Sequence, residues 1–479
     1  MAHLEEVRIG VRPLDQFRTL VDPRHMRKAM RIALKARDVL SKRVFWNVNS
    51  TAVGGGVAEM LPSLLGYARS IGIDTRWIVI EGNPDFFHVT KRIHHALHGS
   101  AGDGTPLDDE ARHIYEAATR HNTPDIVGPV RPGDVVLLHD PQTAGLAHAL
   151  MNAGAHVVWR CHIGIDHPNE EARQGWEFLR PYLEDIPLFV FTRQAYVPDF
   201  CDHGKAMVIQ PSIDAFSAKN QELDESAIRS ILVHTGLVEG AAPDEGEPCF
   251  VHDDGSPGRV SRQAEVVRLG RAPSWDTPLV VQISRWDPLK DMKGVMMGFA
   301  ELCSGDCPTE PELVLAGPNV SGVTDDPEGA LVFEDVVEAW RALPDGIRNR
   351  VHLASLPTDD VQENAAIVNA LQRHATVVVQ KSLREGFGLT VAEAMWKARP
   401  VIGSAVGGIQ DQIEDGVSGV LLNDPQDLRG FSEVLCGLLC DPDRIARLGA
   451  AAKERTRNHF LGLDHLLKYA ALVDRIEAS

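Results

Sequence analysis

Two glutamates lie between a predicted strand and the body of a predicted helix. Glu385 and Glu393 are separated by seven residues. The apolar segment 375–379 precedes them and predicts a buried strand, and residues 389–398 predict a helix. Both acids therefore follow the carboxyl end of a strand, where open α/β sheets bind ligands. Carboxylates accept hydrogen bonds from hydroxyl groups, so the pair is suited to a polyhydroxylated ligand.

The backbone between the two glutamates is suited to a phosphate. Gly386 and Gly388 allow N–H groups to approach a ligand closely, and the following helix N-terminus favours an anion. A sugar attached to a phosphate needs both halves of such a site. Taken singly, Glu393 is also compatible with a first-turn helix acid and Glu385 with a solvated loop residue.

A second segment supplies positive charge at another strand end. Residues 279–284 predict a strand, the loop after it carries Arg285 and Lys290, and Gly294 leads into an apolar helix. The chain has a formal net charge of −19, so its overall field repels anions. A nucleoside-diphosphate ligand therefore needs local cations, and this loop provides two. As isolated residues they would be ordinary surface charges.

Length and composition indicate an enzyme of two domains. A chain of 479 residues exceeds what one hydrophobic core usually supports, and a hydrophobic content of 44% is that of a globular protein. No apolar run approaches a membrane span, and residues 1–6 do not resemble a secretory signal, so we expect a cytoplasmic protein. The acidic balance argues against nucleic acids and membranes as partners.

The cysteines and histidines do not predict a metal site. Two cysteine pairs are spaced four residues apart, Cys303 with Cys307 and Cys436 with Cys440. Neither pair has a matching His or Cys pair at zinc-site spacing, so we expect reduced thiols. His94 and His98 lie one helical turn apart but lack a glutamate between them and an evident third ligand. The Asp-x-Asp spacing at 441–443 falls in a helical region, so we expect no tightly bound metal.

Strand-like segments separated by helical patterns predict an α/β protein with two parallel sheets. The segments of the first half are 44–48, 75–80, 135–139, 156–161, 188–192 and 206–210. Those of the second half are 279–284, 312–316, 351–354, 375–380, 400–403 and 419–422. The chain is expected to cross between the halves at 210–214, and the polar stretch 239–259 is expected to form a surface loop or hairpin.

These motifs together resemble a known enzyme family. The paired glutamates, Arg285 five residues before Lys290, and Gly-Gly-Ile-Gln at 407–410 resemble the large clade of retaining GT-B glycosyltransferases. Within that clade, five N-terminal segments resemble the trehalose glycosyltransferring synthases: 46–59, 79–82, 86–91, 139–142 and 159–163. The likeness extends over most of the chain, from Asn47 to Asn423.

The resemblance implies a GT-B fold, with two Rossmann-like domains that face each other across a cleft. A helical arm (1–42) would precede an acceptor domain (43–210) and a nucleotide-sugar domain (211–455). A C-terminal helix (456–479) would return to the first domain. The two domains would close over the substrates.

The resemblance also implies roles for residues of the second domain. Arg285 and Lys290 would hold the diphosphate and stabilise the departing nucleotide. Glu393 would bind the ribose hydroxyls, and Glu385 the hydroxyls of the donor glucose. Backbone amides would complete the sugar and phosphate contacts at four positions, Gly386, Phe387, Gly388 and Leu389.

In the first domain the resemblance implies contacts to the sugars. Gly55 and Gly56 would let the first strand-to-helix loop pass against the diphosphate and the acceptor. His162 would face the primary hydroxyl of the donor sugar, and Asp140 would lie beside the sugars. The residues also permit structural roles: a tight turn at Gly54 to Gly56, a satisfied histidine after a buried strand, and a turn-capping aspartate.

The activity implied by the resemblance is transfer of glucose from a nucleoside-diphosphate glucose to free glucose, which gives α,α-trehalose. The anomeric configuration would be retained by attack on the same face. No tightly bound cofactor is expected, and magnesium would act only on the nucleotide. A trehalose phosphorylase, a relative acting on another sugar or a cyclitol, and a silent nucleotide-sugar sensor are the alternatives. The nucleotide base stays open, and a homodimer is kept as an option.

Overall fold

The chain is organised as two compact units. The computed structural model describes residues 5–52, 55–241, 246–320 and 327–477. Unit 1 comprises Met1–Ser212 and Phe460–Ser479, and unit 2 comprises Ile213–His459. The C-terminal helix is therefore part of the unit built mainly from the first half of the chain.

The strands of the described residues follow in chain order. They are β1 Glu5–Glu6, β2 Phe45–Asn49, β3 Thr75–Val79, β4 Val135–His139, β5 His156–Cys161, β6 Leu188–Phe191, β7 Ala206–Val208, β8 Cys249–Val251, β9 Pro257–Arg259, β10 Glu265–Val267, β11 Leu279–Ile283, β12 Glu312–Pro318, β13 Val351–Leu356, β14 Val377–Gln380, β15 Val401–Ser404 and β16 Val420–Leu422.

The α-helices of the same residues connect most of these strands. They are α1 Pro23–Val39, α2 Gly55–Ser70, α3 Pro84–Leu97, α4 Asp109–Val127, α5 Asp140–Thr143, α6 Ala147–Asn152, α7 Glu170–Leu183, α8 Glu225–His234, α9 Met292–Ser304, α10 Pro327–Arg341, α11 Asp345–Arg348, α12 Val361–His374, α13 Leu389–Trp396, α14 Ile409–Gln412, α15 Leu428–Leu439, α16 Pro442–His459 and α17 Gly462–Ile476. Short 3₁₀ turns lie at Leu14–Thr19, Ala144–Leu146, Gln194–Tyr196, His203–Lys205 and Pro288–Lys290.

The sheet of unit 1 has the strand order β1-β3-β2-β4-β5-β6-β7. β1 is antiparallel to β3, and the other strands are parallel. β3 and β4 flank β2 on opposite sides, so the strand order reverses at β2. In such sheets the loops after the two strands at the reversal open a crevice at their carboxyl ends. Unit 1 therefore positions the loops after β2 and β4 for ligand binding.

The sheet of unit 2 has the order β10-β13-β12-β11-β14-β15-β16, with β10 antiparallel to β13 and the other strands parallel. The order reverses between β11 and β14. These strands are direct neighbours although about a hundred residues separate them in the sequence. The reversal places the loops after β11 and β14 side by side.

Helix α17 completes the core of unit 1. Four of its side chains join an apolar cluster with residues of the sheet: Tyr469, Leu472, Val473 and Ile476. The fully buried Arg160 of β5 donates to His465 Nε2 at 3.1 Å, to the Tyr469 hydroxyl and to the Ile209 carbonyl at 3.2 Å. A buried guanidinium needs such partners, so α17 also stabilises the carboxyl end of β5.

The predicted α/β class with two parallel sheets is confirmed. Individual boundaries differ from the prediction by a few residues. The predicted strand 375–380 begins at Val377, and the Thr376 side chain before it accepts a hydrogen bond from the Leu279 backbone N–H at 3.1 Å. The predicted helix 389–398 ends at Trp396, because Ala398 adopts a left-handed φ of +56°. The segment 1–42, predicted as a helical arm, contains β1 as well as α1.

The prediction that the thiols are reduced is wrong for two of them. Cys307 and Cys436 form a disulfide, with 5.8 Å between their Cα atoms. The prediction rested on cysteines that are close together in the sequence. In the fold, one cysteine of the first pair is bonded to one cysteine of the second pair. Helices α9 and α15 pack closely because Gly298 has no side chain: a Cβ built there would lie 2.5 Å from the Phe431 ring.

Two further features bear on earlier expectations. The pair β8–β9 is antiparallel and lies within the segment predicted to form a surface loop or hairpin. Among the helices of the described residues, none is long and apolar enough to cross a membrane.

Candidate active site

The loops at the reversal of the unit 2 sheet carry the predicted diphosphate and sugar residues. β11 ends at Ile283, and the loop after it contains Arg285 and Lys290. β14 ends at Gln380, and the loop after it contains Glu385. The two strands pair in parallel, so both loops leave the same edge of the sheet.

Lys290 and Glu385 form an ion pair at this edge. Lys290 Nζ lies 2.7 Å from Glu385 Oε2, and the two side chains are only 16% and 10% exposed. Ser382 Oγ lies 3.4 Å from the same carboxylate oxygen. Arg285 lies at the surface of the loop, with its guanidinium 3.3 Å from Asp287 Oδ2. The structure therefore brings Lys290 and Glu385 together and leaves Arg285 exposed beside them.

The buried side chain of Gln282 connects the two loops. Its Nε2 donates to the Lys290 carbonyl at 2.7 Å, and its Oε1 accepts from the Lys381 N–H at 3.1 Å. The Leu383 N–H also donates to the Leu289 carbonyl at 2.8 Å. These bonds fix the backbone of both loops, so the ion pair is held by the scaffold beneath it.

A second ion pair lies beneath the first. The fully buried Lys381 pairs with Asp291. Asp291 has a φ of +51° and caps α9 by accepting from the Gly294 N–H at 3.1 Å. Sequence reasoning missed Gln282, Lys381 and Asp291. The detectable signal was a polar residue inside the apolar strand β11 and a lysine directly after β14.

The segment between the paired glutamates is a tight turn held by its neighbours. Gly388 has a φ of +82°, which disfavours any side chain there. Gln412 Nε2 donates to the Phe387 and Gly388 carbonyls at 2.5 and 3.1 Å, and the Gly386 carbonyl accepts from the Gly408 N–H at 3.1 Å. The turn delivers the chain to Leu389, where α13 begins. The backbone of the predicted phosphate segment is thus fixed in position.

Glu393 lies on α13 and is almost completely buried, with 1% exposure. Lys219 Nζ lies 3.7 Å from its Oε1. Lys397 Nζ donates to the Glu393 carbonyl at 3.2 Å. Burial lowers the pKa of Lys397, although the charge of Glu393 acts in the opposite direction. Glu393 falls beyond the first turn of α13, so it is not the first-turn helix acid that was the alternative interpretation.

In unit 1 the loop after β2 leads into α2 through glycines. Gly55 begins α2 with a φ of +79°, and a Cβ built on it would meet no atom within 4 Å. Glycine is therefore favoured at position 55 by its backbone conformation, and not because a side chain would collide with neighbouring atoms. Gly56 is exposed, and Gly54 lies outside the described residues.

Asp140 connects the carboxyl ends of β4 and β5. It adopts a φ of +62°, its Oδ1 accepts from the His162 N–H at 2.7 Å, and its carbonyl accepts from Trp159 Nε1 at 3.1 Å. Burial raises the pKa of the Asp140 carboxyl to about 7, although the His162 hydrogen bond and Arg160 act in the opposite direction. Asp140 therefore changes charge near neutral pH.

His162 ends a chain of neutral polar groups. Its Nε2 lies 3.2 Å from His139 Nδ1, and His139 Nε2 lies 3.1 Å from Asn47 Oδ1. Burial, followed by the charge of Arg160, lowers the pKa of both imidazoles well below the usual value. With His139 Nε2–H donating to Asn47 and His162 Nε2–H donating to His139, Nδ1 of His162 is left as a hydrogen-bond acceptor. Sequence reasoning quoted Asn47 and His139 within motifs but assigned them no role.

The two sets of residues suit different ligands. Lysines, an arginine and two carboxylates in unit 2 match the charges and hydroxyls of a nucleotide sugar. Neutral imidazoles and exposed glycines in unit 1 match an uncharged hydroxylated molecule. Within each unit, the predicted site residues follow the strands at the reversal of the sheet or, for His162, the neighbouring strand.

Comparison with known proteins identifies the family of the chain. Residues 47–198 match the family "Trehalose synthase, N-terminal domain", and residues 361–455 match "Glycosyl transferases group 1". A trehalose synthase of Pyrococcus horikoshii is 35% identical, with 99% of each chain covered. A trehalose phosphorylase of Pleurotus sajor-caju is 27% identical over 85% of this chain, which spans 54% of that protein.

Solved structures define the fold. An α,α-trehalose-phosphate synthase (UDP-forming) from Burkholderia vietnamiensis superimposes with a TM-score of 0.66, at 13% identity, over 91% of this chain and 99% of the other. That likeness establishes the GT-B architecture. With the end-to-end similarity to a trehalose synthase, it leads to one conclusion: the chain belongs to the trehalose synthase family of GT-B glycosyltransferases.

Proposed function

We propose that this enzyme transfers glucose, with retention of configuration, from a nucleoside-diphosphate glucose to free glucose and forms α,α-trehalose. The observation that carries the proposal is the partly buried Lys290–Glu385 ion pair at the reversal of the unit 2 sheet. It combines a cation for the diphosphate with a carboxylate for sugar hydroxyls at one point.

The donor would be held by unit 2. Arg285 and Lys290 would contact the diphosphate oxygens, and Glu393 would accept hydrogen bonds from the ribose hydroxyls. Glu385 would bind hydroxyls of the donor glucose while it holds Lys290 in place. The fixed turn at 386–389 would present backbone N–H groups to the ligand, because its carbonyls are already occupied by Gln412 and Gly408.

Unit 1 would supply contacts to the sugars. Nδ1 of neutral His162 would accept a hydrogen bond from a sugar hydroxyl, and Asp140 would do so as a carboxylate above about pH 7. The exposed Gly55 and Gly56 would let a backbone loop approach the ligands without side-chain obstruction.

The reaction itself needs no protein nucleophile under this proposal. The bond between the anomeric carbon of the donor and the phosphate oxygen breaks, and that carbon bonds to the anomeric oxygen of the acceptor on the same face. The proton of the acceptor hydroxyl passes to the departing phosphate. Lys290 and Arg285 would stabilise the negative charge that grows on the diphosphate, so their effect is larger in the transition state than in the ground state.

A trehalose phosphorylase is the second candidate, because a relative with that activity is 27% identical over most of this chain. The two activities differ in what accepts the glucosyl group when trehalose is broken down. A phosphorylase uses inorganic phosphate, whereas the proposed enzyme uses a nucleoside diphosphate.

The test begins with the full-length enzyme, free glucose, and ADP-, UDP- or GDP-glucose supplied separately. Nuclear magnetic resonance of the product should show the symmetric α,α linkage, with one nucleoside diphosphate released per disaccharide. Trehalose should then be cleaved with the matching nucleoside diphosphate and not with phosphate. Cleavage with phosphate alone would overturn the proposal in favour of the phosphorylase. Running the assay with and without magnesium tests the expectation that no metal is required, and cell fractionation tests the expected cytoplasmic location.

A further inference from the structure

A cluster of three cysteines lies at the end of α9 that is remote from Lys290. The thiol cluster consists of Cys307, Cys436 and Cys440, whose Sγ atoms all lie within 4.8 Å of one another. Asp291 caps the other end of α9, and a helix of this length spans about 20 Å. The cluster is therefore separate from the candidate donor site, although α9 contacts both.

The two helices present the cysteines in a specific arrangement. Cys307 follows α9, whereas Cys436 and Cys440 lie on consecutive turns of α15. The Cys440 N–H still donates to the Cys436 carbonyl at 3.1 Å, so the helical geometry continues to Cys440. Residues four apart on a helix project from one face, and both α15 thiols therefore face Cys307.

Helix geometry restricts which disulfides can form. Cβ atoms four residues apart on a helix are about 5–6 Å apart, whereas a disulfide needs about 3.5–4.5 Å. A bond between Cys436 and Cys440 would distort α15. Cys307 has no such restriction with either partner, because it lies on a different element. Two pairings across the helices are thus available, and the structure contains the one with Cys436.

We propose that the thiol cluster is a thiol–disulfide exchange site in which Cys307 alternates between Cys436 and Cys440. Cys440 is exposed, whereas Cys307 and Cys436 are half-buried. Cys440 is therefore the thiol that meets an oxidant in solution, and Cys436 is the partner in the final, more sheltered bond. The chemical class of the oxidant is a low-molecular-weight disulfide.

Each step of the exchange breaks one disulfide bond and forms another. The Cys440 thiolate attacks the small disulfide, forms a mixed disulfide and releases one small thiol. The Cys307 thiolate then attacks Sγ of Cys440 and releases the second small thiol. Finally the Cys436 thiolate attacks Sγ of Cys307 and displaces the Cys440 thiolate, which takes up a proton. The protein loses two electrons and two protons, and the small disulfide gains them.

Either pairing links α9 to α15 and closes a long segment of chain. The disulfide joins residues 129 positions apart, so it restricts the unfolded state strongly. The helices meet through buried aromatic and aliphatic side chains, including Phe299, Phe431 and Leu435. The redox state should accordingly change the stability of unit 2 much more than the rate of glucosyl transfer.

The experiment uses full-length protein with Cys307→Ser, Cys436→Ser or Cys440→Ser, and Cys249→Ser as the control at an exposed cysteine outside the cluster. Each is reduced, then oxidised with glutathione disulfide, alkylated at time points and mapped by mass spectrometry. Wild type and the control should end as Cys307–Cys436. Cys436→Ser should form Cys307–Cys440, and Cys440→Ser should form Cys307–Cys436 at least tenfold more slowly.

Loss of both disulfide pairings should lower the melting temperature. Oxidised Cys307→Ser should melt about 5–10 °C below oxidised wild type, while reduced wild type should match it. The proposal is overturned if Cys436→Ser forms no disulfide to Cys440, or if Cys440→Ser oxidises as fast as wild type. It is also overturned if reduced wild type retains one equivalent of zinc that each serine variant of the cluster loses, because the cluster would then be a metal site. The mass-spectrometric readout does not depend on Cys307→Ser folding.

Discussion

The loops at the sheet reversals of the two units are built from different interactions. In unit 2 they contain two partly buried ion pairs, Lys290 with Glu385 and Lys381 with Asp291. In unit 1 they contain a neutral chain from Asn47 through His139 to His162. The same type of sheet thus carries a charged site in one unit and a largely uncharged site in the other.

Under the proposed function, the difference between the two units follows from what each set of loops has to bind. Burying a charge is costly unless a partner compensates it, so paired charges under a loop are retained where an ionic ligand takes part. A neutral hydrogen-bonding chain avoids that cost and can still order sugar hydroxyls. Asp140 is the exception in unit 1, and its pKa is raised because the carboxyl is buried, although Arg160 acts in the opposite direction.

The largest expected effect is a loss of stability in unit 1 that unit 2 does not share. Removing Phe460–Ser479 deletes the α17 side chains of the unit 1 core and the partners of buried Arg160. Unit 1 should lose about 5 kcal/mol or more, because several large apolar side chains are lost. Hydrogen exchange should show loss of protection in β2 to β7 and retention in β11 to β16.

The matched control is a single substitution that removes only a surface contact of α17. Lys35→Ala breaks an exposed ion pair with Asp474 and should cost at most about 1 kcal/mol. Unchanged protection of β2 to β7 after the truncation would show that unit 1 does not depend on α17.

The next effect tests the charged site. Lys290→Ala and Arg285→Ala should each lower kcat/KM by about 10- to 150-fold, the equivalent of about 1.5–3 kcal/mol for a hydrogen bond to a charged group. kcat should fall at least as much as donor affinity, because charge grows on the leaving diphosphate. Steady-state kinetics with varied donor concentration measures both.

The control is an exposed lysine on the same helix-loop segment. Lys293 pairs with Asp335 at the surface, and Lys293→Ala should change kcat/KM by less than about twofold. Near-native turnover by an enzyme lacking both Arg285 and Lys290 would remove the basis for the diphosphate assignment.

A smaller effect concerns Asp140 of unit 1. Because the pKa of Asp140 is raised to about 7, its carboxyl is protonated below that pH and ionised above it. If the carboxylate contacts the sugars, kcat/KM should decline as pH falls through about 7, and Asp140→Asn should lack that decline. His139 and His162, whose pKa values are lowered by burial, should add no step near 6.5.

Stability provides an independent check on Asp140. Between pH of about 4 and about 7, the folded state keeps the proton that the unfolded state has lost, so the contribution of Asp140 to stability should fall as pH rises through this window. The unfolding free energy of wild type minus that of Asp140→Asn should therefore decrease as the pH rises through this window. An acid decline of kcat/KM that persists in Asp140→Asn would contradict the role of this carboxyl.

The sequence allowed the strand ends to be predicted well, because long apolar runs followed by Gly, Asp or Arg are a local signal. The loops of Lys290 and Glu385 were found in this way. The residues that connect them were not: Gln282 bonds to Lys381 only because β11 pairs with β14. Such pairing joins residues about a hundred positions apart and leaves no local trace.

The same limit explains the other failures. The Cys307–Cys436 disulfide joins two segments that meet only through helix packing. The end of α13 depends on the left-handed conformation of Ala398, a residue type that does not favour it. Both features follow from tertiary contacts, whereas the predictions used local patterns.

The central claim of the proposed function is that Glu393 of unit 2 binds the nucleoside, whereas Glu385 of unit 2 and His162 of unit 1 contact the sugars. Calorimetric titration of a nucleoside diphosphate, chosen by the donor screen, tests it most directly. Glu393→Gln should weaken binding by about 10- to 150-fold, whereas Glu385→Gln and His162→Ala should leave it within about twofold of wild type. Equal losses in Glu393→Gln and His162→Ala would contradict the division of roles between the two units.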